Sequence, residues 1–312
     1  MAPLPLRPIE FRGHTLQSFA AGDADADTDE TPPLIFLHGF FVSLRFIPHA
    51  LPPQIRDGRR WHAVSLPCHP PAAAPNGLSR GDIDSNWLAD LVDHVAGALS
   101  PNRPPILLGH SAGAFLALNA AARRPERFAK VVAINGFVNG GLTLTEKLLQ
   151  LLSHAGPAGK VGFNLSLKAG TLSAGLHERM SGGLAGDADA LRSSDRMSAA
   201  VAAYLPDLQS LSAAQLDALR IFTAMMPELD CTERLGGLAD VPILLINGEE
   251  DPIVPAAHVA EMRERLPSAQ SHLLPGVGHL PMFEAEDKYD ALLTRFLGSG
   301  QSGAGGAERD SR

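Results

Sequence analysis

Short apolar runs alternate along the chain with longer segments whose apolar residues recur at helical spacing. Residues 34–37, 106–108 and 130–134 are compact apolar runs of strand length, bounded by turn-forming residues. Between residues 87 and 99, apolar positions fall on one helical face, behind Asp84 or Ser85 as a capping residue. Strands that alternate with helices build a parallel sheet covered on both faces. The pattern therefore predicts an α/β fold with a mostly parallel central sheet flanked by helices.

The strand rhythm stops between residues 137 and 238 and then resumes. An early hairpin over residues 9–20 and a strand at 62–66 are predicted before this interruption. After it, strands are predicted at 241–246 and 270–274 and helices at 256–266 and 289–297. In the interruption, the spacing predicts helices over 143–154, 187–204 and 212–226, the last with a capping box of Ser212 and Gln215. We expect a core of residues 1–136 and 239–298, a helical cap inserted at 137–238, and a disordered tail at 299–312.

Composition narrows the class of protein. Of 312 residues, 45% are apolar, which excludes a disordered chain. The 26 basic and 34 acidic residues give a net charge of −8, which argues against nucleic acid and anionic membranes as partners. An acidic run at 22–30 is interpreted as a solvated loop, because it lacks the glycine and closing glutamate of an EF-hand.

Cysteine and motif content point to a protein without disulfides or metal. Cys68 and Cys231 are the only two cysteines, and they form no zinc-type spacing. Neither a dinucleotide- or phosphate-binding glycine motif nor H-E-x-x-H occurs, so we expect no cofactor and no metal. No signal peptide or transmembrane run is recognisable, and we expect a cytoplasmic location.

The most informative motif is G-x-S-x-G at residues 109–113. In a chain of this length it should occur by chance about 0.1 times at average glycine and serine usage. A buried strand precedes it and an alanine-rich helix follows, which is the setting of a nucleophile elbow. There Ser111 occupies the apex of a tight turn at a helix N-terminus, where free N–H groups favour developing negative charge.

A serine hydroxyl needs a base, and the base needs an orienting acid. Five histidines follow Ser111, and His279 lies on the loop after the last predicted strand, at the edge where active sites of parallel sheets gather. Asp251 follows another strand and fits the acid, although Glu249 and Glu250 compete on position alone. The order Ser, Asp, His is the order that this architecture uses. The remaining four histidines are His154, His177, His258 and His272.

Four stretches together resemble the α/β-hydrolase fold superfamily over residues 9–298. They are LHGF (37–40), GHSAG (109–113), NGEEDPIVP (247–255) and GVGHLPMFE (276–284). The resemblance implies that Ser111 is the nucleophile, His279 the general base and acid, and Asp251 the residue that orients it. It also implies an oxyanion hole formed by the backbone N–H groups of Phe40 and Ala112, and a cap at residues 137–238.

The chain departs from the family at residues 65–72. Members often carry D-x-x-G-x-G after the fourth strand, whereas this sequence has SLPCHPPA. The departure affects the shape of this rim loop. Cys68 and His69 suggest a second site, but adjacent residues of an extended segment point in opposite directions. His38 and His110 flank the main site in sequence, and we expect both to be structural hydrogen-bonding residues.

The function predicted from the residues is a serine hydrolase that cleaves a carboxylic ester, or a thioester, of a small and largely apolar substrate through an acyl-enzyme. Ser111 rather than aspartate argues against the dehalogenase and epoxide-hydrolase branches. The same triad also serves acyl transfer, C–C bond hydrolysis or lyase chemistry, and cofactor-free perhydrolysis. A non-catalytic ligand-binding protein on the same scaffold is the further alternative, because a fold alone does not fix function.

Overall fold

A computed structural model describes residues 5–23, 31–140 and 144–298. The acidic run of the sequence, apart from Gly22 and Asp23, and the expected tail at 299–312 lie outside these residues. Within the described ranges the chain forms one eight-stranded sheet in the order β1-β2-β4-β3-β5-β6-β7-β8. The strands are β1 Arg7–Phe11, β2 His14–Ala21, β3 Leu34–Leu37, β4 Trp61–Val64, β5 Ile106–His110, β6 Lys130–Ile134, β7 Ile243–Gly248 and β8 Gln270–Leu274.

The sheet is parallel from β4 through β8, and only β1 and β2 pair antiparallel with their neighbours. Every residue of β3, β4, β5 and β7 is buried, because helices cover both faces. The predicted fold class is therefore confirmed.

The helices alternate with the strands up to β6, and six of them lie between β6 and β7. No helix in the described part of the chain has both the length and the apolarity needed to cross a bilayer. The helices are α1 Ile47–Ala50, α2 Pro53–Gly58, α3 Ser85–Leu99, α4 Ala112–Arg123, α5 Leu144–His154, α6 Gly156–Gly170, α7 Ala174–Ser181, α8 Ala188–Ser193, α9 Asp195–Gln209, α10 Ala213–Met225, α11 Ala256–Arg265, α12 Pro281–Glu284 and α13 Glu286–Gly298.

The helices between β6 and β7 differ from the prediction in two places. The predicted helix 187–204 is two helices, because the side chain of Ser194 accepts a hydrogen bond from the N–H of Met197 and starts α9 anew. Helices α6 and α7 were not predicted, since this stretch is rich in glycine and serine and shows no clear apolar face. The predicted capping box of Ser212 and Gln215 is present at the start of α10.

Two apolar layers hold the sheet. One packs α3 and α4 against one face, with Leu91 and Phe115 buried in it. The other contains Phe46, next to α1, and Tyr289, on α13, together with Val201 and Tyr204 of α9. The inserted segment is thus anchored through α9 in the same core that supports the strands.

Backbone contact at the turn between β5 and α4 brings the helix against β3. A Cβ atom on Gly113 would lie 2.1 Å from the carbonyl oxygen of Leu37, and one on Gly109 would lie 2.2 Å from the carbonyl oxygen of Gly113. No side chain fits in either place. Ser111, between them, adopts φ 54 and ψ −118, which is the strained conformation of a nucleophile elbow.

Replacing Gly113 by alanine should therefore destabilise the whole protein. We expect Gly113→Ala to lower the free energy of unfolding by about 3 kcal/mol through overpacking, measured by urea denaturation. Gly58→Ala is the matched control, because a Cβ there meets no atom within 4 Å. Equal stability of the two variants would contradict the close contact.

Candidate active site

Ser111 lies at the carboxyl edge of the sheet and starts α4. Its N–H donates to the carbonyl of Ile134 at 2.9 Å, and its own carbonyl accepts from Ala114 and Phe115 at 2.9 and 3.1 Å. These bonds fix the main chain on both sides of the apex. The serine is 7% exposed and lines a cavity that His279 also lines.

His279 and Asp251 form a buried pair. The Nδ1 atom of His279 lies 2.7 Å from Oδ2 of Asp251, and their side chains are 7% and 2% exposed. Because an ionised carboxylate only accepts, Nδ1 carries the proton and Nε2 is left as the basic nitrogen. Glu249 and Glu250, which competed with Asp251 on sequence position, are exposed to solvent.

Hydrogen bonds hold Asp251 in its charged form. Its Oδ1 accepts from the N–H groups of Ile253 and Val254 at 2.7 and 3.0 Å, and its Oδ2 accepts from the amide of Asn135. Burial alone would raise the pKa of Asp251. The interaction with His279 and the hydrogen bonds from His279, Asn135 and Val254 outweigh burial and hold the pKa below its usual value.

Asn135 is a residue of the site that the sequence did not single out. It follows β6 with φ 44, a left-handed conformation that asparagine tolerates. Its amide donates both to Asp251 and, at 3.0 Å, to the carbonyl of Gly278 beside His279. The sequence signal that could have indicated Asn135 is its position directly after β6, the strand next to β5.

Glu284 is the second such residue, and it organises the loop that carries His279. Its carboxylate accepts from the N–H groups of Gly278 and Leu280, at 2.8 and 3.0 Å. It also accepts from Gly186 at 2.8 Å, which ties this loop to the segment after α7. Glu284 lies inside the stretch GVGHLPMFE, but its role depends on contacts that the motif does not show.

The loop 38–40 runs beside Ser111. A Cβ on Gly39 would lie 3.2 Å from the Cβ of Ser111. The Nδ1–H of His38 donates to the carbonyl of Gly39 at 2.7 Å, since Nε2 accepts from the N–H of Leu66 at 3.1 Å. This bond orients the peptide group whose N–H belongs to Phe40. Ala112, on the other side, is the first residue of α4, where N–H groups lack helical partners.

Three buried, neutral histidines lie beside the loop 38–40 and Ser111. Burial lowers the pKa of His38 to about 3, of His69 to about 4 and of His110 to about 3. His110 Nε2 lies 2.9 Å from the carbonyl oxygen of His279, and both His38 and His110 bond to main-chain groups, as expected of structural residues.

The atypical rim loop forms a wall behind Phe40 rather than a second site. The ring of His69 packs edge-on against Phe40, with centroids 4.7 Å apart. Cys68, at φ 63, lines a different cavity, and burial raises the pKa of its thiol. The side chains of Cys68 and His69 thus lie in different surroundings. Among the described residues, no three His, Cys, Asp or Glu side chains are grouped as metal ligands.

The cavity at Ser111 is enclosed mainly by apolar side chains and has a volume of about 210 Å³. A second cavity of about 360 Å³ lies among the inserted helices. The two adjoin, because five residues line both: Phe41, Leu149, His177, Ser181 and Leu184.

A serine on a strained strand-to-helix turn, beside a histidine that a buried aspartate orients, is the arrangement of the serine hydrolases built on this sheet. Residues 34–292 match the model of the alpha/beta hydrolase family, and the chain belongs to this family. The resemblance noted from the four sequence stretches is confirmed.

The chain is similar to several characterised proteins. It is 27% identical to a pimeloyl-[acyl-carrier protein] methyl ester esterase of Aeromonas hydrophila, covering 86% of this chain and 96% of that one. It is 26% identical to the dihydrolipoyllysine-residue acetyltransferase component of the acetoin cleaving system of Pseudomonas putida, over 95% of this chain and 70% of that one. The crystal structure of the esterase RhEst1 from Rhodococcus superposes with a TM-score of 0.69 at 19% identity, covering 94% and 98% of the two chains.

Asn135→Gly tests the support of Asp251 without straining the backbone, because glycine tolerates the left-handed conformation. Losing a hydrogen bond to a charged group should lower kcat/KM on an activated ester about tenfold to hundredfold. The pKa of Asp251 should rise towards its usual value, because one of the hydrogen bonds that lower it is lost. An unchanged kcat/KM in a folded variant would show that Asn135 does not support the site.

The buried neutral histidines make the protein sensitive to acid. Their folded pKa values lie below the unfolded value of about 6.5, so the unfolded state binds more protons, and stability falls as the pH drops through 6.5 towards 4. For each histidine the slope is about 1.4 kcal/mol per pH unit.

His69→Asn should reduce this slope by the share of one histidine, because the asparagine amide replaces the Nδ1–H donor without titrating. Urea denaturation between pH 5 and 6 measures the slope. Above pH 7 the curves of wild type and variant should run parallel, which serves as the internal control. Identical slopes at pH 5–6 would mean that His69 is already protonated in the folded protein.

Proposed function

We propose that this protein is a carboxylic ester hydrolase that works through an acyl-enzyme on Ser111. The observation that carries the proposal is the 2.7 Å hydrogen bond between His279 and Asp251, at a cavity lined by both Ser111 and His279. The similarity to relatives supports it, since one of them is named a methyl ester esterase.

In the first half of the proposed reaction, Nε2 of His279 takes the Ser111 proton as Oγ attacks the ester carbonyl. The imidazolium that forms is stabilised by Asp251, whose carboxylate stays ionised. The N–H groups of Phe40 and Ala112 are proposed to bind the oxyanion. Removing one such donor typically costs about 3 kcal/mol of barrier. His279 then gives its proton to the leaving alkoxide, and the alcohol departs.

Water completes the cycle. His279 takes a proton from water, the hydroxide attacks the acyl carbonyl, and the second tetrahedral intermediate collapses with the proton returned to Ser111. The enzyme is regenerated and one carboxylic acid is released. No cofactor enters these steps, and each proton moves through one nitrogen of His279.

We propose that the helices between β6 and β7 form a cap, with the bounds 137–238 expected from the sequence. Residues of α5, α7 and α9, including Leu149, His177 and Tyr204, line the cavity at Ser111. A cavity with a mainly apolar lining favours a small-molecule ester or thioester with a largely apolar chain.

Acyl transfer is a second candidate, because the Pseudomonas putida relative is named an acetyltransferase component and the match covers 95% of this chain. The same acyl-enzyme would then pass its acyl group to an alcohol or thiol instead of water. Adding such acceptors during ester turnover distinguishes the two: formation of a new ester or thioester in place of free acid favours transfer.

Substitutions of the proposed triad test the function. A fluorophosphonate probe should label the wild type and fail to label Ser111→Ala. Turnover of short p-nitrophenyl esters should fall at least about 10³-fold in Ser111→Ala and in His279→Ala, since triad members act as a unit.

His272→Ala is the matched control, because His272 lies on β8 and does not line the cavity. It should retain the turnover of the wild type. Failure of the folded wild type to react with the probe would overturn the proposal, and loss of turnover in His272→Ala but not in His279→Ala would overturn the assignment of the base.

A further inference from the structure

The cavity at Ser111 has a second group of polar residues in its lining. Besides Ser111 and His279, it is lined by Tyr204 of α9 and by His177 and Ser181 of α7, with the Tyr204 hydroxyl 2.7 Å from Nε2 of His177. Much of the rest of the lining is aromatic or aliphatic, and it includes Phe40, Phe41, Phe46, Leu149, Leu184, Met197 and Ile253. The proposed reaction uses none of the three polar residues on α7 and α9.

The donor and the acceptor of each hydrogen bond around His177 can be assigned. The carbonyl of Gly170 can only accept, so the Nδ1 of a neutral His177 ring, 2.9 Å away, carries the proton. Its Nε2 then accepts from the hydroxyl of Tyr204 at 2.7 Å. The hydroxyl of Ser181 donates to the carbonyl of His177 at 2.9 Å.

Both hydroxyl protons are therefore used inside the protein. The oxygens of Tyr204 and Ser181 keep lone pairs, and they present acceptors but no donor to whatever enters the cavity. Tyr204 is 3% exposed and packs beside Phe46, with ring centroids 6.2 Å apart, so its position is fixed by the core. Burial also raises the pKa of Tyr204, which keeps the hydroxyl protonated.

An acceptor that a bound apolar chain shields from water and leaves unpaired weakens the complex, unless the substrate brings a donor. We propose that Tyr204 and Ser181 form a subsite for an uncharged hydroxyl group on the chain of the substrate. This inference rests on the proposed function, because it places the ester at Ser111 and the hydroxyl elsewhere on the same molecule.

The direction of the hydrogen bonds also defines what the subsite rejects. A carboxylate brings only acceptors, so it would face the oxygens of Tyr204 and Ser181 without any donor between them. A plain alkyl chain offers no donor to the lone pairs of either oxygen. His177 and Ser181 also line the cavity among the inserted helices, so a longer chain can pass the subsite into that space.

The test compares p-nitrophenyl esters of alkanoic acids of four to ten carbons with their monohydroxy and ω-carboxy analogues. A second arm uses acetates of n-alkanols and of the matching diols, which places the hydroxyl on the alcohol side. At the preferred hydroxyl position, kcat/KM in the wild type should exceed that of the plain chain about tenfold or more. The carboxylated chains should be poorer than the plain ones.

Tyr204→Phe and Ser181→Ala should each reduce the hydroxyl preference at that position towards one, because kcat/KM falls on the hydroxylated ester and is maintained or raised on the plain chain once the unpaired oxygen is gone. Tyr289→Phe is the matched control: Tyr289 is a buried tyrosine on α13 that does not line the cavity, and its hydroxyl has no hydrogen-bond partner among the described residues. It should keep the preference of the wild type.

Three results would overturn the subsite: no hydroxyl preference at any position in either arm, good turnover of carboxylated chains, or equal loss on plain and hydroxylated esters in Tyr204→Phe. The last would mean that the bond to His177 only holds α7 against α9. These results are distinct from failure of the proposed function, which would appear as unlabelled Ser111 and no ester turnover at all.

Discussion

The active site depends on main-chain contact between β3 and the start of α4. Because Gly113 has no side chain, the helix approaches the carbonyl oxygens of Leu37 and His38 directly. One contact therefore fixes two things together: the strained apex that presents Ser111, and the loop that carries the N–H of Phe40. The same contact therefore positions a proposed nucleophile and a proposed oxyanion donor that lie seventy-one residues apart in the sequence.

Burial and hydrogen bonding determine which ionisable groups of the site carry a charge. Burial keeps His38, His69 and His110 neutral, while four groups donate hydrogen bonds to the single carboxylate of Asp251. A positive charge on His110, whose ring centroid lies 5.0 Å from that of His279, would compete with His279 for that carboxylate. Because His110 stays neutral, Asp251 can stabilise the imidazolium that the proposed reaction forms on His279, in surroundings where the interaction is little screened.

Much of the architecture could be predicted from local patterns, since buried strands and helix N-cap residues such as Asp84 are recognisable from a few neighbouring positions. Ser111, Asp251 and His279 could be selected because each follows a strand and is of a residue type that a nucleophile, an acid or a base requires. Asn135 and Glu284 could not, because their partners lie far away in sequence or in a loop whose path is not local. Helices α6 and α7 escaped prediction because α6 is interrupted by glycines and α7 is short and mostly exposed, so neither shows a clear apolar face.

The loop that holds His279 is partly built by the inserted segment. The N–H of His279 donates to the carbonyl of Leu184 at 2.8 Å, and Glu284 joins Gly186 to Gly278. The helices between β6 and β7 are therefore not an exchangeable module. Recombining this segment with that of a related enzyme to alter substrate range would also remove a support of His279, the proposed base, unless the crossover points leave residues 184–187 in place.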